Sequence, residues 1–251
     1  MRVVVLGASS GLGRCVAMGL GEAGHDVALL ARRKDRLDRT VDEMGGRGVA
    51  VECDVTEEVG CQQAVDEAAR QLDGIDALVY ATGVGTLGRL AEVDAATWTR
   101  TLATNVVGAA IATQAALPHL QASDGRAIYF SSVSASMTPA WPGLGAYITS
   151  KAALDKMVEA WRIEHPEVGF TRLIVGDCGG GEGDSAIGFT DGWDMDLAVE
   201  VGRTWYEKGY IAGALLDVQD LVDAVDGVIR LGSSAVVPTM AVLPRVPRSD
   251  T

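Results

Sequence analysis

The sequence predicts an α/β fold in which a doubly wound parallel sheet of about seven strands carries helices on both faces. Three observations lead to this prediction. Short β-branched runs alternate with stretches of helical spacing along the chain. Most of these runs are continuously apolar, as expected for strands that are buried on both faces of a parallel sheet. A glycine-rich turn follows the first run and opens the first helical stretch, which is typical of such sheets.

The individual elements follow in order along the chain. The predicted strands cover residues 2–6, 26–31, 49–53, 77–80, 127–131, 170–175 and 236–242. Helical spacing predicts a first helix over 12–23, closed by Gly24, and another helix over 57–72. Because no linker, repeat or low-complexity run interrupts this pattern, we expect residues 1–251 to form one domain.

Composition and charge argue against several classes of function. With 34 acidic against 21 basic residues, the formal net charge is −13, which repels phosphate backbones and anionic lipid surfaces. We therefore expect no nucleic-acid partner and no membrane partner. The apolar runs are shorter than a membrane span requires, and the four cysteines and three histidines are dispersed without metal-ligand spacing. These features predict a cytoplasmic protein without a metal site.

The glycine-rich turn at residues 7–13 is the first functional motif. Its glycines allow a tight turn and let the pyrophosphate of a dinucleotide approach the backbone at the positive N-terminus of a helix. The serines of the turn add hydroxyl groups beside the phosphates, or they only cap the helix. The residues assigned to this contact are Gly7, Ser9, Ser10, Gly11, Leu12 and Gly13. The alternative is a close packing joint between strand and helix without a ligand.

Tyr147 and Lys151 form the second functional motif. Their spacing of four places the phenol and the ammonium on one face of a helix. A cation close to a phenol stabilises the phenolate and lowers its pKa, so such a tyrosine can exchange a proton with a substrate oxygen. The same spacing occurs by chance on many surface helices. The Tyr147–Lys151 spacing supports a catalytic pair because it follows the fifth predicted strand of a sheet whose first turn already resembles a dinucleotide site.

Together these motifs resemble the short-chain dehydrogenase/reductase family, in the branch with a GxxxGxG turn and a YxxxK helix. The resemblance runs from the first strand to Gly179 and joins several motifs in the family's order. They are Gly7-Ala8-Ser9-Ser10-Gly11-Leu12-Gly13, Cys53-Asp54-Val55, Thr104-Asn105-Val106-Val107-Gly108, Ser131-Ser132, and Tyr147 with Lys151. The resemblance implies a single-domain Rossmann-type fold and hydride exchange between a nicotinamide cofactor and a carbonyl/alcohol pair.

The resemblance also implies a role for each member of a catalytic set. Tyr147 is the expected general acid/base, and Lys151 lowers its pKa and holds the nicotinamide ribose. Ser132 orients the substrate oxygen, and Asn105 holds a water that links Lys151 to solvent. Ser134 is the alternative serine because it lies closer to the common spacing from Tyr147, whereas strand context favours Ser132. For either serine, a hydroxyl that only caps the backbone is the structural alternative.

Two segments depart from the family's pattern. The fourth strand of the family usually ends in Asn-Asn-Ala-Gly, whereas this chain has Tyr80-Ala81-Thr82-Gly83. Ala81 and Gly83 keep the close approach to the adenosine side, but the asparagine contacts are absent. The Pro-Gly after the sixth strand is replaced by the glycine-rich run 176–181, at the place where the family contacts nicotinamide and substrate.

The end of the second strand bears on the choice of cofactor. Chains that prefer NAD place an acid there for the ribose 2′-hydroxyl, whereas this sequence has Ala31 followed by Arg32 and Arg33. Because arginine binds phosphate through two hydrogen bonds, we expect NADP(H), with Arg32 as the main contact and NAD(H) as the open alternative. A solvated helix start would also explain the basic cluster. Asp54 and Val55 are expected at the adenine, unless Asp54 only caps the next turn.

Residues 179–212 take the place of the family's mobile lid over the substrate. Glycine hinges and apolar side chains suit closure over a small, apolar substrate, and these side chains are Phe189, Trp193, Met195 and Leu197. Core or subunit contacts are an equally good interpretation of Trp193, Trp205 and Tyr206. We expect an NADP(H)-dependent oxidoreductase that assembles as a homodimer or homotetramer. The alternative is a catalytically weak nucleotide-binding regulatory or scaffold protein with the same fold.

We predict that Arg32→Ala weakens the binding of NADPH more than the binding of NADH, because only NADPH carries the 2′-phosphate. Fluorescence titration with each dinucleotide measures the two dissociation constants. An NADPH constant that stays within about twofold of the unsubstituted chain contradicts the assignment of Arg32.

Overall fold

A parallel sheet of seven strands lies at the centre of the computed structural model, which describes residues 1–181, 183–186, 188–211 and 213–245. The strands within these residues are β1 (Arg2–Leu6), β2 (Asp26–Ala31), β3 (Gly48–Glu52), β4 (Ala77–Tyr80), β5 (Arg126–Ser132), β6 (Gly169–Val175) and β7 (Thr239–Val242). Their spatial order is β3-β2-β1-β4-β5-β6-β7, and every neighbouring pair is parallel. The predicted fold class is confirmed.

Helices cover both faces of this sheet. They are α1 (Gly11–Glu22), α2 (Lys34–Glu43), α3 (Glu58–Leu72), α4 (Ala95–Leu102), α5 (Gly108–Ala122), α6 (Val133–Ser136), α7 (Gly145–Glu164), α8 (Met195–Glu207) and α9 (Val218–Ile229). A π-helical turn, Ala103–Val107, joins α4 to α5, and a 3-10 turn, Gly183–Ser185, follows β6. Among the helices in the described ranges, none has both the length and the apolar character that a membrane span needs.

Alternate side chains of each inner strand enter two separate cores. Val4 and Leu6 of β1 belong to a cluster that includes residues of α3, α5 and α7. Val3 and Val5 belong to a second cluster, which includes residues of α1 and α9. All four side chains are completely buried. Burial on both faces explains why this strand is apolar at every one of these positions.

The strand order creates a crevice at the carboxyl edge of the sheet. The chain moves outward from β1 to β2 and β3, then returns to β4 on the other side of β1 and continues outward to β7. Leu6, the last residue of β1, is in register with Leu30 of β2 and Tyr80 of β4. The segments that follow these strands therefore meet where the strand order reverses, which is where open α/β sheets bind their ligands.

The predicted limits of these strands and helices lie within one residue of the observed ones, except for the last strand. That strand was expected over 236–242, but it covers only Thr239–Val242. Pro238 has no amide hydrogen to donate to a neighbouring strand, so the ladder ends there. Its carbonyl still accepts a hydrogen bond from the Arg172 backbone amide at 3.1 Å.

Two glycines of the turn after β1 are required for steric reasons. Gly7 has a φ of +89°, a backbone conformation in which L side chains are strained. A Cβ atom at Gly13 would lie 2.5 Å from the Gly7 carbonyl oxygen. Only glycine at this position lets α1 begin so close to the end of the strand.

We predict that Gly13→Ala lowers the free energy of unfolding by about 1–3 kcal/mol, because the added methyl group overlaps a backbone carbonyl. Urea denaturation measures the change. Gly227→Ala in α9 is the matched control, since a Cβ there meets no described atom within 4 Å. The control substitution should raise stability by about 0.5–1 kcal/mol through helix propensity. Equal stability of Gly13→Ala and the unsubstituted chain would contradict this packing.

Candidate functional site

A cavity of about 1150 Å³ opens at the carboxyl edge of the sheet. Its wall includes the turn after β1, the ends of β2, β4, β5 and β6, and one face of α7. The sequence-predicted residues on the wall are Gly7, Ser9, Ser10, Gly11, Leu12, Gly13, Arg32, Arg33, Asp54, Val55, Ala81, Gly83, Ser132, Tyr147 and Lys151. Asn105 is completely buried rather than on the wall. Across the described ranges, no group of three or more His, Cys, Asp or Glu side chains is arranged to hold a metal ion.

The turn between β1 and α1 has the donor chemistry that a dinucleotide pyrophosphate requires. Ser10 is the N-cap residue of α1, but its hydroxyl makes no capping hydrogen bond, and the first helical turn contains no acidic side chain. The N–H groups at the start of α1 therefore keep hydrogen-bonding capacity for an anion. Gly7 and Gly11 have φ values of +89° and +55°, which bring backbone rather than side chain to the cavity. These residues fit a bound dinucleotide.

Arg33, rather than Arg32, is joined to this turn by hydrogen bonds. Its guanidinium donates to the Ser9 hydroxyl at 3.0 Å and to the Ser10 hydroxyl at 2.7 Å. Burial and the nearby charges of Arg36 and Arg32 lower the pKa of Arg33. Crowded cations of this kind are stabilised by an anionic ligand. The role of Arg32 as main phosphate contact stays a prediction, with Arg33 as the better-anchored neighbour.

Asp54 lies on the cavity wall with one carboxylate oxygen already engaged. Oδ1 accepts hydrogen bonds from the Thr56 backbone amide at 2.9 Å and from the Thr56 hydroxyl at 2.7 Å. Burial acts to raise the pKa of Asp54, but these bonds and the charge of Arg32 hold it below its usual value. Asp54 therefore does cap the following turn, and the adenine contact stays a prediction.

Lys151 carries a buried positive charge. Only 4 % of the residue is exposed, and Nζ donates to the backbone carbonyl of Phe130 at 2.7 Å. Burial lowers the pKa of Lys151 to about 8, an effect that the Asp155 carboxylate partly opposes. A Cβ atom at Gly83 would lie 3.4 Å from Nζ, so the glycine leaves the ammonium accessible from the cavity.

Tyr147 lies on the same buried face of α7, one turn before Lys151. Burial raises the pKa of Tyr147 to about 12, whereas the Ser132 hydroxyl acts to lower it. The pKa of Tyr147 therefore lies above its ordinary value, contrary to the expectation of a lowered pKa, and the contribution of Lys151 stays a prediction. Nζ is 5.9 Å from the centre of the Tyr147 ring and is bonded to the Phe130 carbonyl, so burial dominates. At neutral pH the phenol is protonated and can donate its proton.

Ser132 and Ser134, which were alternatives for one role, form a hydrogen-bonded pair. Their hydroxyl oxygens are 2.9 Å apart, and the Ser134 backbone amide donates to the Ser132 hydroxyl at 3.3 Å. Both residues line the cavity, and the hydroxyl of Ser132 is the one that acts on Tyr147. Ser132 thus both caps α6 and lies beside the phenol, while Ser134 holds its hydroxyl in place.

Hydrogen bonds of the Asn105 side chain join two segments of the protein beside Lys151. Asn105 lies in the π-helical turn, where its side chain exchanges hydrogen bonds of 2.8 and 3.1 Å with the backbone of Val84. Its amide also donates to the Ser150 hydroxyl at 2.9 Å. These bonds tie the segment after β4 to α7 and so hold Gly83 against the ammonium. The role of Asn105 in holding a water stays a prediction.

Aromatic side chains form the part of the cavity wall that adjoins Tyr147. Phe189 packs edge-on against Tyr147, with ring centres 5.0 Å apart. Trp141 and Trp205 lie on the same wall, with ring centres 5.3 Å apart. This surface is apolar and directly adjoins the phenol, so a substrate oxygen at Tyr147 would place the rest of a small molecule against aromatic rings.

The apolar residues expected in the lid divide between two roles. Trp193 packs on the far side of Phe189, and its indole donates to the Gly85 carbonyl at 3.2 Å. Leu197 packs against the same aromatic cluster, whereas Met195 is 64 % exposed. Trp193 and Leu197 thus make core contacts, and the lid role of residues 179–212 stays a prediction. Residues 182, 187 and 212 of the expected lid lie outside the described residues.

Comparison with known proteins identifies the family. A family model described as short chain dehydrogenase matches residues 1–179, the part of the chain that holds the glycine-rich turn, Asn105, Ser132, Tyr147 and Lys151. The chain belongs to the short-chain dehydrogenase family. A short chain dehydrogenase of Pseudocercospora fijiensis is 35% identical over 169 residues, which are 64% of this chain and 53% of that protein.

Two further proteins are similar to this chain over different lengths. The 11-beta-hydroxysteroid dehydrogenase 1A of Arabidopsis thaliana is 35% identical over 167 residues, 64% of this chain and 47% of that protein. The chain thus spans about half the length of these curated relatives. The structure of an alcohol dehydrogenase from Thermococcus sibiricus, complexed with 5-hydroxy-NADP, has a TM-score of 0.79 at 22% identity and covers 99% of this chain and 98% of that one. This second likeness shows that the shared fold continues beyond Gly179.

Sequence reasoning missed one set of contacts in this short-chain dehydrogenase. Asp184, in the segment after β6, forms ion pairs with Arg36 and Arg39 of α2. The neighbouring Ser185 accepts a hydrogen bond from Arg14 of α1. These partners are far apart in the sequence, so no local spacing connects them. The run of basic residues after β2 was a signal for a carboxylate partner, but Arg32 and Arg33 were assigned only to a phosphate.

We predict that Lys151→Met raises the free energy of unfolding at pH 7 by about 1–2 kcal/mol, because it removes a buried charge. The pKa of Lys151 falls from an ordinary value of 10.5 to about 8 on folding, so below pH 8 the folded chain bears the full cost of the buried ammonium. Between pH 8 and 10.5 the folded chain loses its proton first, and the advantage of the variant should disappear. Urea denaturation at several pH values measures both effects.

The matched control is Lys156→Met on the same helix. Its side chain is 76% exposed and pairs with Glu159, so its removal should change stability by less than about 0.5 kcal/mol at any of these pH values. A Lys151→Met variant that is less stable than the unsubstituted chain at pH 7 would contradict the buried-charge interpretation.

Proposed function

We propose that this chain is an NADP(H)-dependent oxidoreductase that interconverts a carbonyl and an alcohol on a small, mostly apolar substrate. The observation that carries the proposal is the grouping of Ser132, Tyr147 and Lys151 at one cavity whose opposite end is a glycine-rich turn with free N–H groups. Family membership supports the reaction class, because the matched segment contains every one of these residues. Hydride transfer with a tyrosine acid/base is the chemistry that this grouping fits.

The dinucleotide would extend from the adenosine end of the cavity to Lys151. The start of α1 would hold the pyrophosphate, and Asp54 with Val55 would contact the adenine. Arg32 and Arg33 would hold a 2′-phosphate, as expected when no acid ends β2. The Thermococcus sibiricus neighbour was solved with 5-hydroxy-NADP, which supports the same cofactor class here. When bound, the nicotinamide supplies or accepts the hydride.

Residues of the chain itself would transfer the proton to and from the substrate oxygen. In the reduction direction Tyr147 donates its phenolic proton to the substrate oxygen, and Ser132 donates a hydrogen bond to the same oxygen. The raised pKa of Tyr147, to about 12, keeps this proton in place until the substrate oxygen gains negative charge. Lys151 then stabilises the phenolate that remains. The ammonium supplies this charge while it is protonated, which extends up to its pKa of about 8.

Substrate selection would take place at the aromatic wall. Phe189, Trp141 and Trp205 line the cavity beside Tyr147 and favour an apolar group next to the reacting carbonyl. We propose that segment 179–212 acts as the substrate lid, because it contributes two of these three rings and begins with a run of glycines. Water kept out by such a lid cannot compete for the proton of Tyr147.

We further infer a cytoplasmic protein in which residues 1–251 form one domain that carries both cofactor and substrate sites. Cys15, Cys53, Cys61 and Cys178 are unpaired thiols, which suits a reducing compartment. A homodimer or homotetramer is the proposed assembly. Light scattering or sedimentation equilibrium distinguishes these two states.

We predict that Tyr147→Phe lowers kcat for NADPH-dependent carbonyl reduction by about 10²–10⁴-fold, because the proton donor is lost. A screen of ketones, aldehydes and quinones with NADPH and NADH first finds a turned-over substrate and the preferred cofactor. The NADPH dissociation constant of the variant should stay within about threefold, since the ring and its packing remain.

Tyr129→Phe is the matched control for the loss of a phenol. Tyr129 is completely buried in the core and bonds the Thr113 hydroxyl at 2.6 Å, away from the cavity wall. Its removal should lower stability by about 1 kcal/mol and leave kcat within about twofold. Turnover that survives in Tyr147→Phe would contradict the proposed mechanism. NADPH binding without turnover on any screened substrate would instead favour the regulatory or scaffold role.

A further inference from the structure

The segment after β6 reaches across the sheet edge and is anchored on α1 and α2. Ser185 is buried, and its hydroxyl accepts a hydrogen bond from Arg14, whose guanidinium also donates to the Thr40 hydroxyl at 3.1 Å. The Ser185 carbonyl accepts the backbone amide of Gly181 at 2.9 Å. Arg14 is itself buried, so this anchor is a built contact rather than a chance meeting of surface side chains. It fixes the position of the residue that precedes Ser185.

That preceding residue, Asp184, places a carboxylate among the arginines of α2. Its oxygens lie 3.6 Å from a guanidinium nitrogen of Arg36 and 3.3 Å from one of Arg39. The charge of Asp184 also acts on Arg33. Asp184, Arg33 and Arg36 all line the cavity at the end that follows β2. This is the end where an open α/β sheet binds the adenosine ribose of a dinucleotide.

We propose that Asp184 is a cofactor-specificity residue: its carboxylate shares the arginine cluster that a 2′-phosphate would use, and so limits the preference for NADP(H) over NAD(H). The proposal rests on the NADP(H) site proposed above and deepens it. The arginines at this end favour phosphate binding, whereas the fixed carboxylate of Asp184 opposes it. The expectation of NADP(H), with NAD(H) as the open alternative, rested on the cations at this end and did not include this carboxylate.

The Asp184 carboxylate opposes a 2′-phosphate in two ways. A 2′-phosphate would compete with Asp184 for the same guanidinium groups, and it would experience repulsion from the carboxylate itself. Because Ser185 is held by Arg14, the carboxylate stays near the cluster when a phosphate arrives. NADH brings only a neutral 2′-hydroxyl to this place, so its affinity should depend much less on the charge of Asp184.

The test compares dinucleotide affinities in Asp184→Asn. Fluorescence titration of the full chain with NADPH and with NADH gives the two dissociation constants. We expect the NADPH constant to fall by about threefold to tenfold and the NADH constant to change by less than about twofold. The NADPH effect should diminish at high ionic strength, because Asp184 is one-third exposed and its field is screened. Asp184→Ser, a second uncharged variant, must give the same direction.

Asp35→Asn is the matched control. Asp35 also pairs with Arg39, at 3.5 Å, but it is 77% exposed and does not line the cavity. Its neutralisation should leave the ratio of the two constants within about twofold.

Three outcomes would overturn the proposal. One is an unchanged ratio in both Asp184 variants, and another is an equal change in Asp35→Asn. The third is a weaker NADH affinity with an unchanged NADPH affinity, which would make Asp184 an acceptor for the ribose hydroxyl. A chain that binds neither dinucleotide before substitution would overturn the proposed function itself, and this result is distinct from the other three.

Discussion

The ammonium of Lys151 is held inside the protein by a hydrogen bond of 2.7 Å to the carbonyl of Phe130, near the end of β5. A charge in this position is costly to bury, and the surrounding structure reduces that cost. Asp155 opposes the fall in the Lys151 pKa and is itself bonded to Arg172 of β6 at 3.2 Å. Apolar residues of α7, Leu154 and Val158, pack in the core beside the sheet. The Lys151 bond to β5 and the Asp155–Arg172 bond to β6 join α7 to the sheet in the same position that brings Tyr147 to Ser132.

Further charged side chains line the rest of the cavity. In a chain with a net charge of −13, cations collect at both ends of one cavity, with Lys151 at one end and Arg32, Arg33 and Arg36 at the other. The described lining as a whole is not positive, because the carboxylates of Asp54, Asp177, Asp184 and Asp191 equal these four cations in number. Attraction of a small anion such as a dinucleotide therefore depends on the local groups of cations, while the outer surface repels larger polyanions. Asp184 reduces the positive charge at one end. The balance between this carboxylate and the arginines bears on the choice between the two nicotinamide cofactors.

Much of the fold was predictable because its causes are local. The apolar residues of β1 and the steric requirement at Gly13 leave direct signals in the sequence, and so does the spacing of Tyr147 and Lys151 on one helical face. The start of β7 was predicted wrongly because apolar character was given more weight than the missing amide hydrogen of Pro238. The pKa of Tyr147 was expected to lie below its ordinary value, but burial raises it. Burial of a side chain depends on segments that are distant in the sequence, so the motif alone did not predict this rise.

Contacts between remote residues also limited what could be predicted about the site. The two serines after β5 were treated as alternatives, although their hydroxyls are bonded to each other. The link from Asp184 to α2 joins segments that no spacing rule connects.

The most direct measurement is the pKa of Lys151 in the folded chain. Nuclear magnetic resonance of lysine side chains labelled at the carbon next to Nζ follows this titration, with Lys151→Met used to assign the signal. The buried-ammonium interpretation predicts a pKa of about 8. A pKa near the ordinary lysine value, about 10.4, would show a solvated ammonium and contradict the interpretation.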